Sequence, residues 1–323
     1  MLFELGEKVL AGEKNIQDLK NYPEELKERK PFEKPFRRSA LIVSGDRVKH
    51  LAKIFKRDAD VIIFNVEDGV ADKNKRFART FLRKFLINSP FDGSKEIVIR
   101  INPWNSEFFF EDIVELLPVI PHAIRLSKVE TKEDVVALSK LIESFELSRG
   151  LRNGTIKIQL SIETGKALEN LKEILESSSR INAVYLGILD MFADLNLPQE
   201  LLKRESGIAR YIKEKFVVVS RTFGVSPIAP AYQDYEDLEG FEKEATFEKE
   251  LGFAGKMCIS VRQVEIANRV FSPSKREIEE AKEIVKLYEE ALKEGKGGIT
   301  YKGKFIDQPI YKDALNKLKY LES

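Results

Sequence analysis

VIIFNVEDGV, Val61 to Val70, begins as an unbroken apolar run and ends in two adjacent carboxylates, Glu67 and Asp68. A run that is apolar at every position reads as a strand buried on both faces, the property of a parallel sheet covered by helices. Two neighbouring anions are a costly way to leave such an interior, so the same stretch marks a place where charge is wanted. The rest of the chain repeats the alternation. SALIVS (39–44), VIIFNVE (61–67), EIVIRIN (96–102), AIRLSK (123–128), IKIQLSIE (156–163), AVYLGILD (183–190), VSPIAP (225–230) and KMCIS (256–260) read as strands, with charged segments of helical period between them. Thr131 with Asp134, and Ser274 with Glu277, open two of the helices as capping boxes; Gly150 and Gly295 close them. Eight strand–helix units in about 230 residues predict an α/β fold of the (β/α)8 TIM-barrel type. An open doubly wound sheet would carry a Gly-rich phosphate turn after its first strand, and IVSGDRVKH has a single glycine. Pro227 and Pro230 make the seventh strand the irregular one, since both lack a ladder donor.

The expected organisation is a charged helical arm over 1–36, the barrel over 37–272, and a C-terminal helical segment over 273–323 with a glycine-bearing turn, GKGGITYKGK. Of the 323 residues 43% are hydrophobic, ample for one large core. Lys+Arg (54) and Asp+Glu (53) nearly cancel, which argues against nucleic acid or an anionic membrane as partner. A lone cysteine, Cys258, excludes a disulfide framework, and no long uncharged apolar stretch is present, so a cytoplasmic protein is expected.

In a TIM barrel function gathers where strands end. There the sequence puts Glu67 and Asp68 after the second strand, Arg100 on the third with Asn102 beyond it, Lys128 and Glu130 after the fourth, Glu163 at the end of the fifth and Asp190 at the end of the sixth. Any one such residue is ordinarily a solvated or capping group. Together they would repel across a partly buried rim unless a cation or a substrate joins them. Glu163 and Asp190, from adjacent strands, are the expected metal pair, and carboxylate-only ligation completed by water is what Mg2+ favours. The only histidines, His50 and His122, sit at no strand end, which argues against zinc and against a serine-type triad. Arg100 reads either as a salt-bridge partner of Glu67 or Asp68, or as a fixed guanidinium for a carboxylate or an enolate oxygen.

The segments RRSALIVSG, VEDGVADKNKRFAR, VIRINPWN, RLSKVETKEDV, SIET, LGILDMFADL, DYEDLEGF, GFAGKMCI, VFSPS and IDQP, in this order from about Arg37 onward, resemble the citrate lyase beta-subunit-like proteins, a family that includes malyl-CoA, citramalyl-CoA and citryl-CoA lyases. The resemblance implies a (β/α)8 barrel, a Mg2+ ion and reversible Claisen chemistry on a CoA thioester. It makes Glu163 and Asp190 the metal ligands and Arg100 the residue on substrate acid and thioester enolate. Asp307 (IDQP) becomes the proton-moving acid, delivered from a neighbouring subunit; by sequence alone it is simply an aspartate in a helix-capping position. Glu67 and Asp68, with Lys128, support the metal's waters and Arg100, and Arg38 is a substrate-binding candidate. A homo-oligomer follows from the trans role of Asp307, and the resemblance implies a trimer or a multiple of one. The chain departs from the family pattern at Ser44-Gly45, Ala167, Leu189 and Ser260-Val261. Two other readings stand beside the lyase: a CoA-independent, metal-dependent aldolase acting on pyruvate, whose branch has a histidine where this chain has Asp68-Gly69, and a noncatalytic barrel subunit of a larger assembly.

Overall fold

Eight parallel strands close on themselves in sequence order, β1 next to β2 and so on to β8, which pairs back onto β1 through Ala40 and Met257. They are β1 Ser39–Ser44, β2 Val61–Asn65, β3 Glu96–Ile101, β4 Ala123–Leu126, β5 Lys157–Ile162, β6 Ile181–Leu186, β7 Ser226–Ala229 and β8 Gly255–Cys258. This computed structural model describes residues 1–203 and 206–321. The expected TIM barrel is the observed fold, and the apolar run of β2 shows why. Val61 and Ile63 join a cluster in the barrel lumen with Ala40, Val98 and Tyr185, while Ile62 and Phe64 point outward into the much larger core under the helices. Both faces of the strand are buried, so no polar position interrupts it. β7 tolerates Pro227 because it is short and because the proline carbonyl still accepts from the Ala254 N–H at 2.8 Å.

Helices end where the capping residues said they would. Thr131 and Asp134 form a capping box on Lys132–Ser148, and Ser274 and Glu277 form one on Lys275–Lys293. At the N-terminus, helices Leu2–Leu10 and Ile16–Lys20 lay Phe3 edge-on against Phe81 and Phe85 of helix Asp72–Ile87. The chain then runs extended as a strap towards β1, held by Arg29, whose guanidinium donates to the carbonyls of Val119 (2.9 Å), Ser89 (2.7 Å) and Leu86 (2.9 Å). At the C-terminus the glycine-bearing turn is a hairpin, β9 Ile299–Tyr301 with β10 Lys304–Ile306, which the sequence reading did not resolve. Lys302 and Gly303 at its tip both have positive φ, 46° and 77°, as a two-residue hairpin loop requires. The hairpin packs with helices Lys275–Lys293 and Gln308–Leu318 around Ile284, Tyr288, Tyr301 and Ile306, a cluster of their own. No helix of the described residues is long and apolar enough to cross a membrane.

Candidate functional site

The turn that ends β2 is built by its own side chains. Asn65 accepts from the Glu67 N–H through Oδ1 (3.2 Å) and donates through Nδ2 to the Asp68 carbonyl. Val70 N–H returns to the Glu67 carbonyl (3.1 Å), and Gly69, at φ +93°, takes the left-handed conformation this tight reversal needs. The result is that Glu67 turns inward, 2% exposed, while Asp68 stays at the surface.

Arg100, on the lumen face of β3 and 7% exposed, is the hub. Its Nη2 lies 2.6 Å from Glu67 and 3.3 Å from Glu163, and its Nε donates to Ser127 Oγ at 3.0 Å. Lys128 bridges Glu67 (3.3 Å) and Asp68 (2.9 Å) from a backbone at φ 49°, a conformation a lysine adopts at some cost and one that is common at working sites. Burial pushes the Glu67 carboxyl above the usual carboxylate range, although Arg100 opposes it. Burial would raise Asp68 as well, but Lys128 outweighs it and Asp68 falls below its ordinary value. Lys128 in turn is held above the usual lysine range by the two carboxylates, against its partial burial.

Glu163 follows β5 and is 3% exposed; its Oε2 is buried with no hydrogen-bond partner. Such an orphaned carboxylate oxygen costs free energy unless something cationic meets it. Asp190 is not at a strand end. β6 stops at Leu186, Gly187 turns the chain, and Asp190 lies exposed in the first turn of helix Ile188–Asp194. The loop nevertheless abuts Glu163, because a Cβ on Gly187 would sit 2.5 Å from Glu163 Cγ. Oxygen-only donors with one unused, buried oxygen suit a hard cation that keeps part of its shell as water. Among the described residues no three His, Cys, Asp or Glu side chains are arranged to hold a metal together, so Glu163 and Asp190 would need water to complete a cation's shell.

Two expected site residues lie elsewhere. Arg38 precedes β1, at the opposite end of the barrel from the mouth, and forks onto Asp60 through Nε (2.8 Å) and Nη2 (2.8 Å); it does not join the cluster. Asp307 stands before helix Gln308–Leu318, and its carboxylate makes no hydrogen bond or ion pair among the described residues, not even a cap. The far end of that segment stacks Tyr320 on Phe36, near Arg38, with ring centroids 4.5 Å apart.

Other residues shape the mouth without having been singled out. Arg125, two positions before Ser127 on the lumen face of β4, is fully buried over the Tyr185 ring (3.8 Å) and donates to Ser161 (2.8 Å). Burial, reinforced by the nearby Arg100 charge, pulls its pKa down to about 9. Asn102 receives Lys75 on Oδ1 (2.7 Å) and donates to Asp112 (2.7 Å) and to the Val66 carbonyl (3.1 Å), while Arg79 holds the other Asp112 oxygen (3.1 Å). This network ties the ends of β2 and β3 together and fixes Glu67 against Arg100. The alternating parity of the strands was the available signal for Arg125.

The family described as HpcH/HpaI aldolase/citrate lyase matches residues 38–261. The citrate lyase subunit beta of Haemophilus influenzae is 32% identical over 274 residues, 85% of this chain and 93% of that protein. The L-malyl-CoA/beta-methylmalyl-CoA lyase of Rhodobacter capsulatus is 32% identical over 287 residues, 84% of this chain and 90% of that one. Among solved structures, a Mycobacterium tuberculosis CitE in complex with magnesium, acetoacetate and coenzyme A superposes with a TM-score of 0.71 at 22% identity, covering 90% of this chain and all of that one (100%). A citrate lyase from Burkholderia xenovorans LB400 gives 0.76 at 17% identity, covering 91% and 94%. At these identities the two structures speak for the fold.

Proposed function

Because the chain belongs to the HpcH/HpaI aldolase/citrate lyase family, we propose that it is a Mg2+-dependent carbon–carbon lyase, reversible and of Claisen type, acting on a carboxylated 3-hydroxyacyl-CoA such as malyl-CoA, citramalyl-CoA or citryl-CoA. The observation that carries this reading is the buried, unpartnered Glu163 Oε2 beside the Arg100 guanidinium. Glu163 and Asp190 would hold the cation, which when bound withdraws electron density from the carboxylate-bearing carbon of the breaking bond.

The chain's own residues supply the rest. Cleavage leaves a thioester enolate, whose oxygen needs a cation already in place. Arg100 meets that need because Glu67 and Ser127 fix its plane before substrate arrives, so no reorganisation is required during the reaction. Glu67 is held in turn by Lys128 and by the Asn65 turn. A carboxylate that takes the substrate's hydroxyl proton as the carbon–carbon bond breaks can return it to the enolate carbon, and Asp307 of a neighbouring copy is the proposed proton carrier. Its lack of any hydrogen-bond or ion-pair partner among the described residues supports that role, which makes the working form an oligomer, in our reading a trimer or a multiple of one.

The pyruvate-aldolase reading lacks its histidine. His122 lies at the barrel's opposite end, before β4, and His50 is exposed on helix Val48–Leu51. The deciding experiment supplies malyl-, citramalyl- and citryl-CoA with Mg2+ present or chelated, with Glu163→Ala alongside. Metal-dependent cleavage of one thioester that the variant loses supports the proposal. No cleavage of any, with Mg2+ still bound, moves the function to a noncatalytic barrel subunit.

A further inference from the structure

The end of the barrel opposite the mouth holds a cavity of about 520 Å3 between the N-terminal strap, the loop before β4 and the loop before β5. Five cationic side chains line it, Arg29, Lys30, Arg37, Arg152 and Lys157, against a single carboxylate, Glu96. The whole chain carries a net charge of only +1, so this excess is local. Glu96 offers it little. Its two oxygens are taken by Arg37, at 2.6 and 2.8 Å, with Asn182 on the second at 3.0 Å. The Arg29 N–H groups are spent on backbone carbonyls, which satisfy them without supplying a counter-charge. The side chains of Lys30, Arg152 and Lys157 make no hydrogen bond, ion pair or ring contact among the described residues.

Lys157 is the informative one. It shares the parity of Gln159 and Ser161 on β5, and those two face the lumen, bonded to Tyr185 (2.9 Å) and Arg125 (2.8 Å). Its side chain therefore leaves the strand on the lumen side, with Lys30 and Arg152 contributed by two other segments. Like charges gathered around one cavity repel unless an anion joins them. Phe32, Ile120 and Pro121 supply a non-polar wall to the same space.

We propose that this cavity binds a phosphorylated small molecule, its phosphoryl oxygens among Lys30, Arg152 and Lys157 and its uncharged part against Phe32, Ile120 and Pro121. A phosphoryl group presents several oxygens and close to two negative charges, which matches several cations lining one cavity better than a carboxylate does. The volume lies within the range of small-molecule sites. Lys157, the first residue of β5, and Glu163, just past its end, stand six positions apart, about 20 Å of extended chain, so the site is independent of the mouth and of its chemistry. A ligand here would clamp the strap to the barrel.

The test is calorimetric titration of the full chain with inorganic pyrophosphate and, separately, with ADP, in EDTA so that no divalent complex forms. Saturable 1:1 binding is expected, weakened at least tenfold by Arg152→Glu and by Lys157→Ala, and unchanged by Glu163→Gln. Arg152 is exposed, so its variant keeps the fold, and thermal melts of each variant verify this. Tighter binding of ADP than of pyrophosphate supports the role given to the non-polar wall; equal binding overturns that role and leaves the phosphoryl site. Failure of both probes to bind at millimolar concentration, unchanged affinity in Arg152→Glu, or loss of binding in Glu163→Gln would each overturn the site.

Discussion

Arg100 reaches Glu163 at 3.3 Å through one carboxylate oxygen, while the other oxygen of Glu163 is buried and has no partner. Around this pair Arg100 and Lys128 hold Glu67, Asp68 and Glu163 in one ion-pair network. A cation at the free oxygen of Glu163 would stand in for its missing hydrogen bond.

Glu163→Gln tests that account with little steric change. Mg2+ affinity is expected to fall by more than the roughly 10–100-fold that losing an outer partner of a metal ligand costs. The fold should persist, because Arg100 keeps Glu67 and Ser127. Titration calorimetry with Mg2+ and a thermal melt separate the two effects; equal Mg2+ affinity in variant and parent would remove Glu163 from the metal site.

Arg100→Lys should be nearly as damaging as Arg100→Ala. An ammonium cannot reach Glu67, Glu163 and Ser127 together, because that geometry uses the planar fork of the guanidinium. A fall in kcat of about 10²–10³ is expected for either, the usual cost of losing one preorganised donor. A lysine variant with full activity would show that the charge alone matters.

How much of this was legible depends on what each signal encodes. The strands were, since a run buried on both faces leaves no polar break, as over residues 61–64 of β2. Asp190 was displaced from strand to helix because Gly187, inside the apolar stretch AVYLGILD, ends β6 early. Arg38, a substrate-binding candidate by resemblance, precedes β1 and so lies at the barrel's N-terminal face, paired with Asp60; a motif match does not state the end. Arg125 escaped notice because attention to strand ends overlooks the side chain two positions inward. The hairpin at Lys302-Gly303 was missed because three-residue strands are too short to show a period.

Stability should carry a histidine signature. His122 Nδ1 accepts from the Ile97 N–H (2.7 Å), so its Nε2 carries the proton donated to the Lys30 carbonyl (2.8 Å), which pins the strap. Burial lowers its pKa below the ordinary 6.5, with Arg29 adding to the effect and Glu96 and Asp92 opposing it. The unfolded chain then binds the proton more readily, so this contribution is full above pH 6.5 and is lost as pH falls through the folded value. Urea midpoints measured from pH 7.5 to 5 should fall more steeply for the parent than for His122→Gln; parallel curves would reject the assignment.

Lys256 is a buried charge outside the mouth with three partners. Fully buried on the outer face of β8, it donates to Glu248 (2.6 Å), Glu244 (2.7 Å) and the Pro230 carbonyl (2.9 Å), and Glu248 is itself fully buried with Lys213 as its other partner (3.0 Å). Lys256→Met leaves buried carboxylate charge under-compensated, and a loss of about 3–5 kcal/mol is expected from denaturant unfolding. A loss under about 1 kcal/mol would mean the carboxylates take up protons or water instead.

The role proposed for Asp307 has a test that separates it from a structural one. The C-terminal segment has its own small core and meets the barrel through Tyr320 on Phe36, far from Arg100. Truncation after Pro273 should therefore leave a folded barrel without activity, but it also removes those contacts. Mixing is cleaner. Asp307→Asn and Glu163→Gln should each be inactive alone, one lacking the donor and the other the metal ligand. If the donor reaches a neighbour's mouth, subunits mixed by denaturation and refolding will pair an intact mouth with an intact Asp307, and part of the activity will return. If Asp307 serves its own barrel, every mouth in the mixture stays defective and activity remains absent, which would also remove the reason to expect an oligomer.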